Sequence, residues 1–403
     1  MGKDKNLDYG LYINYIALAY AFVLPLSRAG ITFFTGLLVL VWLIDGDIVN
    51  KIKKLINNKV VLALFVFIAF NFISLLWTDD FVATLSYIRR YWYLLPILVF
   101  YTSIKEEYLS KILSAFIFGM FVSEIIAYGI FFEFWPFNNA TYQNPSPFMH
   151  HIEYSIFLAF TALIILSRIF NEPEMKYKIL YIFFFTTISG NLFLTAGRTG
   201  QLAFVLGLFV LAMISFKNKL KALLLSIVLT ILITGIAFNV STTFHDRIIT
   251  GKDNLYSVIN QNNYCTSWGS RVGAWIVSKD IVMDHPLIGV GLVDNMQEFH
   301  SLIDTKYPEM KCMHANFMHL HNQYFQILTQ LGITGLFIFL SIFYLILRLP
   351  MKSVEYKNIK YIYMTVLLFA FVSEVIFHRQ FSIVLFALVV GLLLVQNRIE
   401  NEV

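Results

Sequence analysis

Arg198, Arg271 and His321 offer two side-chain chemistries, phosphate binding and proton uptake. A guanidinium is planar, stays charged, and grips phosphate oxygens bidentately. An imidazole takes up a proton near neutral pH. Arg198 stands between glycines in Thr195-Ala196-Gly197-Arg198-Thr199-Gly200, at a junction of two apolar runs. Gly197 and Gly200 would let a ligand approach the backbone closely. The alternative is an arginine that snorkels and only anchors a helix end. Arg271 opens an amphipathic run over 270–283, where Val272, Trp275, Ile276, Lys279 and Met283 follow helical spacing. That run is expected to lie on the outer leaflet. Free N–H groups at its start favour an anion; a solvated surface charge is the bland reading. The run stops at Asp284-His285-Pro286. His321 and Asn322 come directly before an apolar run, so Asn322 either orients a ligand or caps the helix. His314, His319 and His321 raise a zinc reading, but no carboxylate or cysteine recurs beside them at ligand spacing, and no metal site is expected. Asp79 and Asp80 either hold a divalent cation, neutralise Arg89 and Arg90, or are wet loop residues. Glu374 is a carboxylate near an apolar span, costly there unless paired; His378 and Arg379 are close in sequence.

The elements that must position these groups are membrane helices. The chain has 403 residues, 58% hydrophobic and only 14% charged, with a mean hydropathy of +0.69. Charged residues make up about a quarter of a soluble chain. Continuous apolar runs exclude a transmembrane barrel, whose strands alternate. About twelve spans are expected, near 11–26, 31–44, 60–77, 88–104, 112–132, 152–168, 178–195, 199–216, 220–239, 322–347, 359–377 and 380–396. Nineteen of the 30 lysines and arginines then fall in one set of short loops and the two ends, which is the cytoplasmic signature. Both termini are expected in the cytoplasm, with no cleavable leader. Arg28, Arg89, Arg90, Arg198 and Arg379 break the bias on the other face, where a lipid phosphate is the obvious partner. The +5 charge reflects inner-loop lysines and gives no reason to expect nucleic acid. The chain divides into spans one to nine (1–239), an outer subdomain (240–321) and spans ten to twelve (322–403). Cys265 and Cys312 both fall in the outer subdomain; an oxidising compartment allows a disulfide, and two buried thiols are the alternative. A transporter would place ionisable groups at mid-membrane, and usually shows two similar halves. These groups sit at the outer mouth instead.

Three segments, in order, resemble the O-antigen ligase family, within the wider group of O-antigen ligases and polymerases. They are Leu194-Thr195-Ala196-Gly197-Arg198-Thr199-Gly200; Arg271 and Trp275 with His285-Pro286-Leu287-Ile288-Gly289-Val290-Gly291; and His321-Asn322-Gln323-Tyr324-Phe325-Gln326-Ile327-Leu328 followed by Gly332-Ile333-Thr334-Gly335-Leu336. The chain departs from the family at Gly197, where serine is common, and at Gln330, where glutamate is common. The resemblance implies an all-α polytopic glycosyltransferase of GT-C-like architecture, in a bacterial inner membrane, with its active site facing the periplasm. It implies a ligase that moves a glycan from undecaprenyl diphosphate to a hydroxyl of lipid A–core, inverting and without metal or other cofactor. Arg198 and Arg271, helped by Arg28, Arg89 or Arg90, would bind the diphosphate; His321 would be the base; Asn322, Gly197 and Gly200 would line the site. An O-antigen polymerase using the same donor is the alternative, and a lipid-linked oligosaccharide transporter a more distant one.

Overall fold

A computed structural model describes residues 8–402 apart from 138–139 and 315–316. Helix is the regular structure throughout the described residues. In chain order the α-helices are α1 (Tyr9–Val23), α2 (Arg28–Ile44), α3 (Ile48–Ile56), α4 (Lys59–Ile73), α5 (Phe81–Ile88), α6 (Leu95–Ser103), α7 (Glu106–Phe131), α8 (His151–Asn171) and α9 (Met175–Leu194). They continue as α10 (Arg198–Ser215), α11 (Lys219–Val240), α12 (Thr242–Gln261), α13 (Ser267–Asp284), α14 (Asp294–Thr305), α15 (Gln323–Arg348), α16 (Val354–Ser373) and α17 (Gln380–Glu402). Polar residues start them at the membrane edges: Asn58 accepts from the Val60 and Val61 amides, and Asn218 from Lys221.

Among the described residues, eight helices are long and apolar enough to cross a membrane, or nine if one bent pair counts as a span. Four of the twelve expected spans do not qualify by that measure. The helix within 11–26 has only 15 residues. The span at 31–44 is half of the bent pair, which turns by 115° where Gly46 (φ 75) and Asp47 (φ 52) adopt left-handed backbone. The stretch 88–104 breaks into a 3-10 segment, Arg89–Leu94, followed by α6 with Pro96 in its first turn. The helix at 359–377 is α16, which ends at Ser373 and carries Glu355, Lys357 and Lys360 in its first two turns.

α17 is buried along most of its length and runs through the bundle, packed against α6 and α16. α10 packs on α8 and α16. In lipid, tails are as apolar as leucine, so close contact rather than water exclusion holds helices together. Glycines permit it here. A Cβ on Gly200 would meet the Ser155 backbone at 2.2 Å, and one on Gly207 would meet the Leu163 side chain at the same distance.

A second, smaller core lies outside the bundle and joins α13, α14 and the following 3-10 turn through Ala274, Val277, Ile281, Phe299, Ile303 and Met310. This corrects the amphipathic reading of 270–283. The buried stripe is Gly273, Ala274, Val277 and Ile281, while Lys279 and Met283 are exposed. Small residues win the inward face because Met310 and Met313 press against Gly273, their sulfurs 3.3 and 3.0 Å from where its Cβ would be. Cys265 and Cys312 are joined in a disulfide, with Cα atoms 5.8 Å apart, tying the approach to α13 to the far side of this core.

The glycine-rich segments 285–291 and 332–336 clasp one another. α15 is interrupted at Gly332 (φ 64). Into the break comes the 286–291 turn: Val290 donates to the Thr329 carbonyl at 3.0 Å, and Ile333 donates back to Pro286 at 2.9 Å. A Cβ on Gly289 would strike the Gln330 backbone at 2.4 Å, so both segments require glycine for packing. The Gln330 amide donates to the Leu292 carbonyl, which a glutamate carboxylate could not do.

Candidate active site

The centre of the site is Ser373-Glu374, where α16 ends. Glu374 is fully buried, and its Oε1 accepts from Arg271 Nη2 at 2.9 Å and lies 3.1 Å from His321 Nδ1. The Ser373 carbonyl accepts from Arg271 Nε at 3.4 Å, and its hydroxyl meets Thr199 Oγ1 at 2.9 Å, one residue beyond Arg198. Arg271 also donates from Nη1 to the Ser267 carbonyl at 2.7 Å. Three segments far apart in sequence therefore meet at one turn.

Burial alone would raise the Glu374 carboxyl, but the His321 hydrogen bond, with the charges of His321, Arg271 and His319, brings it down to about 2. An ionised carboxylate has no proton to give, so the Nδ1–H of His321 is the donor. With Nδ1 so engaged, Nε2 is the ring nitrogen left free to exchange a proton with a ligand. His321 also has left-handed backbone (φ 48), unusual for a residue with a side chain. Such conformations persist only where the surroundings enforce them. Asn322 is one enforcer. It caps α15 through the Tyr324 and Phe325 amides at 2.9 and 3.1 Å, and donates to the Val372 carbonyl at 3.0 Å. Its side chain is thus spent on the backbone and is only 5% exposed. Burial first, then the His321 charge, holds His319 down to about 4, and its Nδ1 accepts from the His321 amide.

Arg198 lies at one wall of a cavity of about 770 Å³ formed by α10, α11 and α12. Nearly all of its lining is apolar: Leu202, Val205, Ile231, Phe238, Ile248 and Leu255. Arg198, Arg247 and Lys252 are its cations, and Trp268 of α13, three residues before Arg271, also lines it. Gly235 and Gly251 also line it, and a Cβ on either would meet nothing within 4 Å. A largely apolar trough with cations in its lining suits a lipid tail bearing an anionic head.

Other expected site residues lie elsewhere. Gly197 and Gly200 serve the approach of α8: a Cβ on Gly197 would meet the Ser155 side chain at 2.3 Å, and the Gly200 amide donates to Ser155 Oγ at 3.1 Å. Arg28, Arg89 and Arg90 line a different cavity. Asp80 caps α5 through the Ala83 amide. His314 pairs with Asp304 at 3.2 Å; Ala315 and Asn316 lie outside the described residues. His319, His321 and Glu374 do offer ligand atoms within 4.8 Å of one another. A cation there would face Arg271 and Arg379, the latter 3.9 Å from Glu374 Oε2, so the charge around this carboxylate suits an anion better. Sequence reasoning placed Glu374 only as a carboxylate in search of a partner. The cost of burying it was the signal that it would matter.

Residues 182–340 match the family described as O-antigen ligase. The match includes Arg198, Arg271 and His321, and bears out the resemblance drawn from those segments. An uncharacterized protein of Haemophilus influenzae is 27% identical over 229 residues, which is 54% of this chain and 57% of that relative. The chain thus spans little more than half the length of the curated relative it matches.

Proposed function

We propose, from a match to the O-antigen ligase family over residues 182–340, that this multi-pass membrane protein is an O-antigen ligase. The family supports glycosyl transfer of the ligase or polymerase type. The finer reading is transfer from undecaprenyl diphosphate to a hydroxyl of lipid A–core, at the periplasmic face of a bacterial inner membrane. It takes the bundle as about twelve spans of GT-C-like architecture with both termini cytoplasmic and 240–321 as the periplasmic subdomain.

The observation that carries this reading is the Arg271–Glu374–His321 network beside the apolar trough of Arg198. The polyprenyl tail lies in the trough, and the diphosphate meets Arg198 and Arg271, with Arg247 and Lys252 adding charge. The acceptor hydroxyl gives its proton to His321 Nε2 as its oxygen attacks the anomeric carbon. The bond from that carbon to the diphosphate oxygen breaks, with inversion. Negative charge gathers on the leaving diphosphate, where the guanidiniums stabilise it in place. Glu374 orients the ring and balances the imidazolium that forms.

The test is a gel profile of cell-surface lipopolysaccharide from a strain carrying only His321→Ala. For a ligase, lipid A–core bears no O-antigen while polymer collects on the lipid carrier. Core bearing a single repeat unit would make the protein a polymerase instead. An unchanged profile would reject His321 as the base and the transferase reading with it.

A further inference from the structure

Beyond Glu374 lies a second cavity, of about 670 Å³, lined by Arg28, Arg89, Arg90, Glu153, His378 and Arg379 among others. It shares no lining residue with the Arg198 trough. Four guanidiniums face one carboxylate. Among the described residues, no carboxylate lies within ion-pair distance of Arg28, Arg89 or Arg90, and Glu153 stands 3.9 Å from Arg379. Their other contacts are uncharged. Arg28 lies over the Phe381 ring at 5.5 Å, and Arg90 Nη1 is hydrogen-bonded to the His378 ring. That histidine is held neutral, down to about 3, by burial and then by the Arg90 charge.

Two long helices also begin here. α2 starts at Arg28 and α17 at Gln380. Gln380 Nε2 ties them together, donating to the Arg28 carbonyl at 3.1 Å and to the Tyr93 hydroxyl at 2.8 Å. Both helix N-termini add partial positive charge to the same space. A concave surface with this excess of fixed positive charge concentrates anions. Its apolar lining is confined to Trp92, Tyr93 and Phe381, shorter than the aliphatic wall of the Arg198 trough, so it suits a headgroup without its tail. Arg379 connects it to the catalytic turn, with Nη2 3.9 Å from Glu374 Oε2 and 3.5 Å from His319 Nε2.

We propose that this cavity binds a phosphate group of the lipid-anchored acceptor glycan and so sets that acceptor beside His321. The inference rests on the transferase reading and assigns Arg28, Arg89 and Arg90 to the acceptor rather than to the donor diphosphate. Donor and acceptor phosphates then occupy opposite sides of Glu374, which keeps two anionic lipids from competing for one set of arginines.

The test measures equilibrium binding to the full chain in zwitterionic nanodiscs, without turnover. The ligands are lipid A–core, the same material after phosphatase treatment, and undecaprenyl diphosphate. Arg89→Gln/Arg90→Gln should weaken binding of phosphorylated lipid A–core at least about tenfold, the loss of one charge-assisted contact or more. Binding of the dephosphorylated form and of undecaprenyl diphosphate should match wild type. Arg28→Gln, a single surface change, should show the same pattern more weakly. Equal affinity of wild type for both acceptor forms would overturn the proposal. So would a loss confined to undecaprenyl diphosphate, which would return these arginines to the donor. Equal competition by phosphatidylglycerol nanodiscs would reduce the cavity to a general anionic-lipid site and also overturn it. Because no transfer is needed, this outcome is separate from that of the His321→Ala profile.

Discussion

Glu374→Gln removes one charge and almost no volume, and should separate the catalytic role proposed for this turn from its structural one. The carboxylate holds two charge-assisted or polar contacts, to Arg271 at 2.9 Å and to His321 at 3.1 Å. Each is worth about 1.5–3 kcal/mol when fully shielded. Arg271 and His321 are 20% and 25% exposed in their side chains, so water takes up part of the loss. Glutamine also keeps one acceptor oxygen. A stability loss of about 1–3 kcal/mol follows. The effect on transfer should be larger. Glutamine accepts the Nδ1 hydrogen bond but does not balance an imidazolium, and its amide favours the wrong tautomer when it turns toward the ring. Loss of an orienting carboxylate behind a histidine base costs roughly 10²–10⁴-fold in kcat. The assay is transfer by purified protein, with kcat and the donor KM fitted separately, beside a thermal melt. Both constants should suffer, kcat by far the more, and Glu374→Asp should recover part of kcat. A folded Glu374→Gln protein with kcat within about threefold of wild type would refute the view that this carboxylate positions the base.

Other perturbations follow from the same structure. Because Glu374 has a folded-state value of about 2 against an ordinary 4.5, its contribution to stability is complete above about pH 4.5 and is lost as pH falls toward 2. The difference in Tm between wild type and Glu374→Gln should therefore shrink over that window; a constant difference would contradict the charge-based account. Gly235→Trp fills the Arg198 trough without meeting other protein atoms at its Cβ. It should raise the donor KM severalfold while leaving the melt near wild type. Gly200→Ala drives a methyl into the Ser155 backbone and should destabilise by about 1–3 kcal/mol or more, read as a lowered Tm. Cys265→Ser/Cys312→Ser opens a link of 47 residues, worth up to about 4 kcal/mol. Proteolysis within residues 240–321 should accelerate in that variant, and in wild type under reductant.

Composition alone decided that this chain lives in a membrane, because an unsatisfied backbone in lipid leaves helices as the answer for long apolar runs. Residue type pointed to much of the chemistry proposed. A guanidinium bracketed by small residues at Arg198, a second at Arg271 and a histidine at His321 carry their meaning in their side chains and in their order along the chain. Periodicity was less informative for α13, since both of its faces hold apolar residues; only the packing of Met310 and Met313 selected the stripe through Ala274 and Val277. The 322–347 span reads as continuous in sequence, and neither its break at Gly332 nor the clasp with 286–291 was legible, because sequence separation hides a contact between backbones. The same is true of Glu374. Its carboxylate was visibly expensive, yet its partners Arg271 and His321 stand 103 and 53 residues away. Tertiary structure also divided into two sets the arginines that charge counting had grouped on one face, because charge type says what a residue binds and only the fold says which cavity it faces.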